Sequence, residues 1–461
     1  MKNADLAIVG NGSIALYTAI LIKQTHHNIN VCIIGDKNHP FSASLAAGAM
    51  HAVYCEIEES FETNFNERLI FELGLEARKL WSDFFERFNL TNLITANSTI
   101  MYKRKSGTLF EHANFDICSK VAEQNGVLEE ISKTELNKVF AGKLKKDEVV
   151  AKKFVGEFSF DARELILQLT NIASSIGVSF LHQEAVSVKN TKDRALVNLA
   201  DGKTHEFGKV VVAAGSNSSQ LLAENHKIIP IYSGVGSALI LDSLPSSYQD
   251  IDSVVRTPNR GGAQCGLHLV PNNKNTLYLG AGNYISKDKP AHRAETIRYL
   301  INLCEDEIVG RQFMYKAKTE FCLGARPRSL DGLPLLGSSL EYPNIFIASG
   351  NYRVGLTLAP YIAAQALLWF EDRELDAKTR HWKPDRDLAS YSSMTAAINY
   401  FASSRISNLI EHKLLADNEL SIEQKKSELA EQVISKNEEI VKMYNLPPGF
   451  VVDPDMYGVF D

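Results

Sequence analysis

Cysteine is scarce in this 461-residue chain, and what there is lies scattered. The six thiols, Cys32, Cys55, Cys118, Cys265, Cys304 and Cys322, form no Cys-x-x-Cys pair and have no histidine at ligand spacing. That argues against a zinc module, a disulfide scaffold or any other metal site. Positive charge is not in surplus either: 49 Lys and Arg against 55 Asp and Glu leave a formal net charge of −6. Without a basic stripe, no nucleic-acid partner is expected, and small molecules are the better candidates. No apolar run reaches the roughly 20 residues that cross a bilayer. The nearest, 356–370, contains Pro360 and Gln365. The start, Met1-Lys2-Asn3-Ala4-Asp5, runs into a short apolar strand without the charged lead or cleavage site of a secretory signal, so a cytoplasmic location is expected. Repeats and low-complexity tracts are also missing. The length exceeds what one hydrophobic core usually supports, which predicts two interleaved domains or more.

What is present begins at residue 6. Leu6 to Val9 reads as a buried strand, Gly10-Asn11-Gly12-Ser13-Ile14-Ala15 as a glycine loop, Ile14 to Lys23 as a helix, and Val31 to Ile34 as a second strand. In such a βαβ unit the first glycine makes the tight turn, the second admits a pyrophosphate, and a small third residue lets helix and strand pack closely. A dinucleotide at the helix N-terminus is the expectation. The acidic residue that would bind ribose hydroxyls is displaced by Gly35, leaving Asp36 as the candidate. Next, Ser42 to Met50 is rich in small residues that let a chain pass close to a flat ligand.

Helices are predicted over Phe65 to Phe88 and Phe160 to Ile176, and strands over Ser179 to His182, Ala185 to Val188 and Lys209 to Ala214, the last ending in Gly215. The mixed-charge stretch Lys143 to Lys153 reads as a solvated turn or edge. Ile228 to Leu241, Gly266 to Pro271 and Thr276 to Gly282 are β-rich and turn-separated, as in an antiparallel sheet. A strand at Ile345 to Ala348, a glycine loop Ser349 to Gly355, and a helix Thr357 to Phe370 with Pro360 in its first turn then follow. The fold class expected is α/β, a Rossmann-type nucleotide-binding domain (1–75, 150–222, 320–375) interleaved with an antiparallel-sheet substrate domain (76–149, 223–319). From Asp376 onward glycine thins out and helical periodicity takes over, with a capping box at Ser421-Ile422-Glu423-Gln424. This extension, 376–461, is read as packing on the body, with an oligomer or partner contact as the alternative.

The blocks Gly10 to Ala15, Ser44 to Met50, Val211 to Gly215, Leu269-Val270-Pro271 with Gly280, Gly324 to Pro334 and Gly350 to Pro360 stand in the order found in D-amino-acid-oxidase-like flavoproteins. Over residues 4 to 372 the chain most resembles their glycine oxidase branch. The resemblance implies bound FAD, held non-covalently. Gly10, Gly12, Ser13, Ile14 and Asp36 would take its adenosine and pyrophosphate, Ala43, Ser44, Ala46, Ala47 and Gly48 its ribityl chain, and Val186 its adenine through the backbone. Ala214 and Gly215 would approach the dinucleotide from the strand end. Gly350, Arg353, Val354, Gly355, Leu356 and Thr357 would cover the pyrimidine end of the ring system. Arg326 matches the family arginine that grips the substrate carboxylate, a role suited to a planar guanidinium fork. Arg353 matches a second arginine near substrate and flavin, where pairing with a core carboxylate is the alternative. His268 stands where relatives acting on small amino acids often place tyrosine; a histidine there is a candidate to hydrogen-bond the carboxylate or to act as an acid or base near neutral pH, with packing on the sheet as the alternative, and Met50 is a further candidate at the substrate. His51 and Cys322 lie near covalent attachment points of some relatives but do not match them.

The implied activity is oxidation of a small amine or amino acid to an imine by hydride transfer to flavin, with oxygen reoxidising the flavin to give hydrogen peroxide. One alternative passes the electrons to a quinone or protein acceptor; another is a non-catalytic FAD-binding subunit of a complex.

Overall fold

The computed structural model describes residues 5–38, 40–140, 148–224, 226–242, 252–261, 266–272, 276–309, 311–389, 393–412, 414 and 421–460. Its organising element is a six-stranded sheet. Strands 342–349, 209–212, 6–9, 31–34 and 179–181 run parallel in that order, and 335–339 is added antiparallel at one edge. Alternate residues of these strands serve two different cores, as the period of two requires. Leu6, Ile8, Ile33, Val211 and Phe346 face the helices Ser13–Thr25, Phe65–Arg87, Ala162–Ser175 and Gly355–Phe370. Ala7, Val9, Ile34, Val212 and Ile347 face a small three-stranded sheet and the end of the chain, where Phe450, Val452, Met456 and Phe460 are buried. The helical extension therefore packs on the body of the protein and completes its second core.

The other large layer is a nine-stranded sheet built around the long strands 94–104, 149–160, 231–241, 276–286 and 319–329. It is mixed rather than antiparallel, because Ser253–Arg256 pairs in parallel with Ser98–Met101. The charged stretch expected as a solvated turn or edge is corrected in its second half. Val149–Phe160 is a strand paired on one side with Ile94–Arg104 and on the other with Leu128–Glu130, its lysines paired outward to Glu130 and Glu135. Residues 143–147 lie outside the described residues. Strands 149–160 and 319–329 both belong to the large sheet, although the sequence-based division gives residues 150–160 and 320–329 to the nucleotide-binding segments. The helix Phe65–Arg87 likewise runs unbroken across the boundary set at residue 75.

The helix near the cofactor loop starts at Gly355, two residues before the expected Thr357, so Pro360 falls in its second turn. A proline there cannot donate to the carbonyl four residues earlier. The orphaned Leu356 carbonyl is satisfied from outside: the buried Trp81 indole N–H lies 3.1 Å from it and 3.2 Å from the Thr357 carbonyl. Trp81→Phe keeps one aromatic ring but removes this donor together with part of the buried indole, and is expected to cost at least the roughly 1–3 kcal/mol of an unsatisfied buried acceptor in urea denaturation. In a Pro360→Ala background, where a backbone N–H is restored, the same substitution is expected to cost less.

Candidate active site

A cavity of about 1280 Å³ runs along the carboxyl ends of the parallel strands. It exceeds the roughly 300–1,000 Å³ of an ordinary small-ligand pocket. An elongated ligand together with a smaller one can fit. At its inner end Gly10 has φ +116°, and a Cβ there would lie 2.2 Å from the Ala213 carbonyl oxygen. The helix Ser13–Thr25 begins at Gly12 with no capping side chain of its own, and Ser44 reaches across to accept the Ser13 N–H at 3.1 Å. The second inward helix, Gly355–Phe370, also starts without a side-chain cap. Two helix N-termini thus open on one cavity, an arrangement that favours negative charge.

The loops that build this cradle come from both halves of the chain and are joined through the strand Thr319–Ser329. The Ala325 N–H donates to the Phe41 carbonyl at 2.9 Å, and the Tyr352 N–H to the Pro327 carbonyl at 2.8 Å. Gly324 makes the approach possible, since a Cβ there would sit 2.8 Å from Cβ of Ala46. Of the residues singled out from sequence, Gly10, Gly12, Ser13, Ile14, Asp36, Ala43, Ser44, Ala46, Ala47, Gly48, Met50, Ala214, Gly215, His268, Arg326, Gly350, Arg353, Val354, Gly355, Leu356 and Thr357 all line the cavity. Asp36 is placed by Asn11, whose amide donates to its carbonyl at 2.8 Å. Val186, expected to act through its backbone, is 50% exposed and does not itself line the cavity, which is bordered there by the neighbouring Glu184 and Ala185. His51 stacks on Phe158, and Cys322 meets the Arg163 guanidinium at 3.4 Å; neither lines the main cavity.

The outer end holds the charged groups. The Arg326 guanidinium rests over Gly236, where a Cβ would be 2.3 Å from it, and donates to Asn283 Oδ1 at 3.0 Å. Asn283 in turn donates to the Tyr352 hydroxyl. Among the described residues Arg326 has no carboxylate partner. Arg353 does: it donates to Glu58 Oε1 at 3.0 Å and lies 3.9 Å from Glu56. Glu56 is also gripped by buried Arg256 at 2.6 Å. Burial works to raise the Glu56 carboxyl, but Arg256 and Arg353 outweigh it and hold the group below its usual range. His268 lies parallel to Tyr278, its Nδ1 without a partner among the described residues; burial, reinforced by Arg256, lowers it to about 3. It is a neutral imidazole and offers hydrogen bonds, not charge. Gly236, Asn283, Glu58 and Arg256 carried no sequence signal, since each matters through partners far along the chain. The extension also reaches the site, with Ala396, Asn399 and Tyr400 on the cavity wall.

A family model described as FAD dependent oxidoreductase matches residues 5–367. Among curated proteins the chain is similar to a D-amino acid dehydrogenase of Vibrio vulnificus, 26% identical over 270 residues that cover 58% of each chain. It is also similar to a glycine oxidase of Geobacillus kaustophilus, 24% identical over 210 residues covering 44% of this chain and 52% of the relative. The chain thus spans little more than half the length of these curated relatives. Among solved structures, glycine oxidase from Geobacillus kaustophilus superposes with a TM-score of 0.69 at 21% identity, over 84% of this chain and 99% of that one. Iminodiacetate oxidase from Chelativorans sp. gives 0.67 at 18% identity, over 82% and 98%. At these identities the structures share the fold.

The two buried histidines set a pH signature. His51, depressed to about 3 by burial and Arg78, and His268 stay neutral in the folded chain, whereas unfolded histidine protonates near 6.5. Above that pH neither affects stability; as pH falls from about 6.5 towards 3, the unfolded state takes up protons that the folded state refuses. Each histidine should then remove about 1.4 kcal/mol of stability per pH unit. Denaturation of His268→Asn between pH 6 and 4.5 is expected to show a slope shallower by that amount.

Proposed function

The chain belongs to the FAD-dependent oxidoreductase family, and from that premise we propose that it oxidises the carbon–nitrogen bond of a small amino acid or carboxylate-bearing amine. The observation that carries this reading is Arg326: a guanidinium facing the cavity, oriented by Asn283, with no carboxylate of its own among the described residues. A planar fork so held is suited to two carboxylate oxygens. FAD fits the cradle: Gly10, Gly12 and Ser13 would hold the pyrophosphate, Asp36 the ribose, Ala43 to Gly48 the connecting chain, and Gly350 to Thr357 the ring system.

When bound, FAD supplies the two-electron acceptor of the reaction. The protein's own residues supply position. Arg326 anchors the acid group and thereby fixes the α-carbon and its nitrogen against the ring, so that orientation provides much of the rate. Neutral His268, beside the same space, can accept or donate one hydrogen bond without competing for the carboxylate as an ion. The helix N-terminus at Gly355, uncapped and open to the cavity, would favour negative charge on the group held there. Cys322 and His51, turned away from the cavity, support non-covalent attachment.

Oxygen is proposed as the acceptor that returns the flavin to its oxidised form, giving hydrogen peroxide. Transfer to a quinone or protein acceptor is the second reading, favoured by the similarity to a protein named D-amino acid dehydrogenase. Reoxidation of the reduced protein by air-saturated buffer, followed in a stopped-flow spectrometer against a quinone analogue, decides between them.

An anaerobic screen of small amino acids and amines for flavin bleaching tests the activity itself. Arg326→Ala is expected to lower the reduction efficiency by about 10- to 150-fold, equivalent to the roughly 1.5–3 kcal/mol of a charged hydrogen bond, while flavin stays bound. Unchanged reduction would remove Arg326 from its role. Gly236→Ala is expected to weaken amino-acid binding in the same assay by crowding that guanidinium.

A further inference from the structure

The family match ends at residue 367, yet the helix Met394–Glu411 of the extension forms part of the cavity wall. It is fixed there firmly. At its end Glu411 pairs with Arg104 and lies 3.6 Å from Arg260, a fully buried arginine whose fork also grips Glu307 at 2.8 and 2.9 Å. Ser407 donates to the Arg260 carbonyl, and the backbones approach so closely that a Cβ on Gly261 would lie 2.4 Å from the Ser404 oxygen. Further along the same helix, Tyr400 enters the cavity and donates its hydroxyl to Glu58 Oε2. The other oxygen of Glu58 accepts from Asn259 at 2.7 Å and from Arg353 at 3.0 Å. Glu58 is thus held at both oxygens, and its carboxylate is ion-paired with Nη2 of the cavity's second arginine.

We propose that Tyr400 is a specificity-determining residue: it holds Glu58 on Arg353, so that the cleft accepts one acid group, at Arg326, and rejects a second. The inference rests on the carboxylate reading of Arg326 given above and narrows the substrate class to amines with a single carboxylate. A dicarboxylic substrate would have to displace an internal anion that is already hydrogen-bonded on both sides, and would meet Glu56 and Glu58 as like charges. Such juxtaposition is the repulsive element by which a site discriminates between ligands of similar shape. The extension therefore acts on the chemistry through its partner Glu58, without touching the reacting atoms.

The test uses the full-length, FAD-loaded protein and two unreactive probes, acetate and succinate, with dissociation constants measured by calorimetry so that turnover plays no part. In Glu58→Gln the affinity for succinate relative to acetate is expected to rise roughly tenfold, and in Tyr400→Phe to move the same way by about threefold. Adding Arg353→Met to Glu58→Gln is expected to abolish the gain. A succinate-to-acetate ratio unchanged in both single variants, with flavin content and melting midpoint at wild-type values, would overturn the proposal. Tyr400→Phe deletes one oxygen atom and keeps the comparison available if Glu58→Gln fails to take up flavin. Acetate binding in Arg326→Ala is measured alongside: indifference to that change sinks the carboxylate reading of Arg326, whereas the succinate shift is read at Arg353 and stands or falls separately.

Discussion

The site depends on two backbone hydrogen bonds from one strand. Ala325 donates to Phe41, and Pro327 accepts from Tyr352, so that Thr319–Ser329 stitches a loop from the front of the chain to a loop from its rear. Backbone pairing of this kind is indifferent to side-chain type but demands close approach, which is why Gly324 faces Ala46 and Ala43. The same strand carries Arg326 into the cavity. Cradle and anion-binding group are in this way positioned by a single element, and a shift of the strand would misplace both.

Around that strand the arginines are sorted by their partners. Arg256 is committed to Glu56, Arg328 to Asp453, and Arg353 to Glu58. Arg326 differs because its neighbour is an amide. Asn283 orients a guanidinium without neutralising it, leaving the charge available in a partly buried space where a charge-assisted hydrogen bond is strong. The extension takes part in this sorting. Arg386 clamps Asp331 through Nε and Nη2 at 2.9 and 2.7 Å, Asp453 holds Arg328, and Tyr400 holds Glu58. What composition alone marks as a helical appendage is, in three dimensions, a set of polar clasps on the Gly324 to Pro334 block and on the mouth of the cavity.

The features legible in the sequence share a property: their consequences are local. Gly10 and Gly12 are readable because a strand, a tight turn and a helix N-terminus follow one another within a few residues. Val186 shows the limit of such reading: it stands beside Glu184 and Ala185, which line the cavity, and which residues of this stretch border the cleft depends on how the strand Ala185–Asn190 is placed in the fold. Val149 to Lys153 was misread because lysines on an interior strand look like a solvated edge until their partners, Glu130 and Glu135, are known. Asn283 and Gly236 gave no signal, since an asparagine and a glycine on β-strands become significant only when Arg326 is laid across them.

The sequence by itself determined the α/β class, the order of the nucleotide-binding elements and the glycine turns, because hydrophobic period and backbone freedom are properties of short segments, and its motifs singled out the two arginines in the latter part of the chain. Only the tertiary structure decided which arginine remains open to a ligand, that His268 is uncharged, and that the extension borders the site. Those outcomes depend on burial and on groups that meet from distant parts of the chain, as Glu58 and Arg353 do across 295 positions, and electrostatic interactions are set by distance in space and by the local dielectric rather than by separation along the chain.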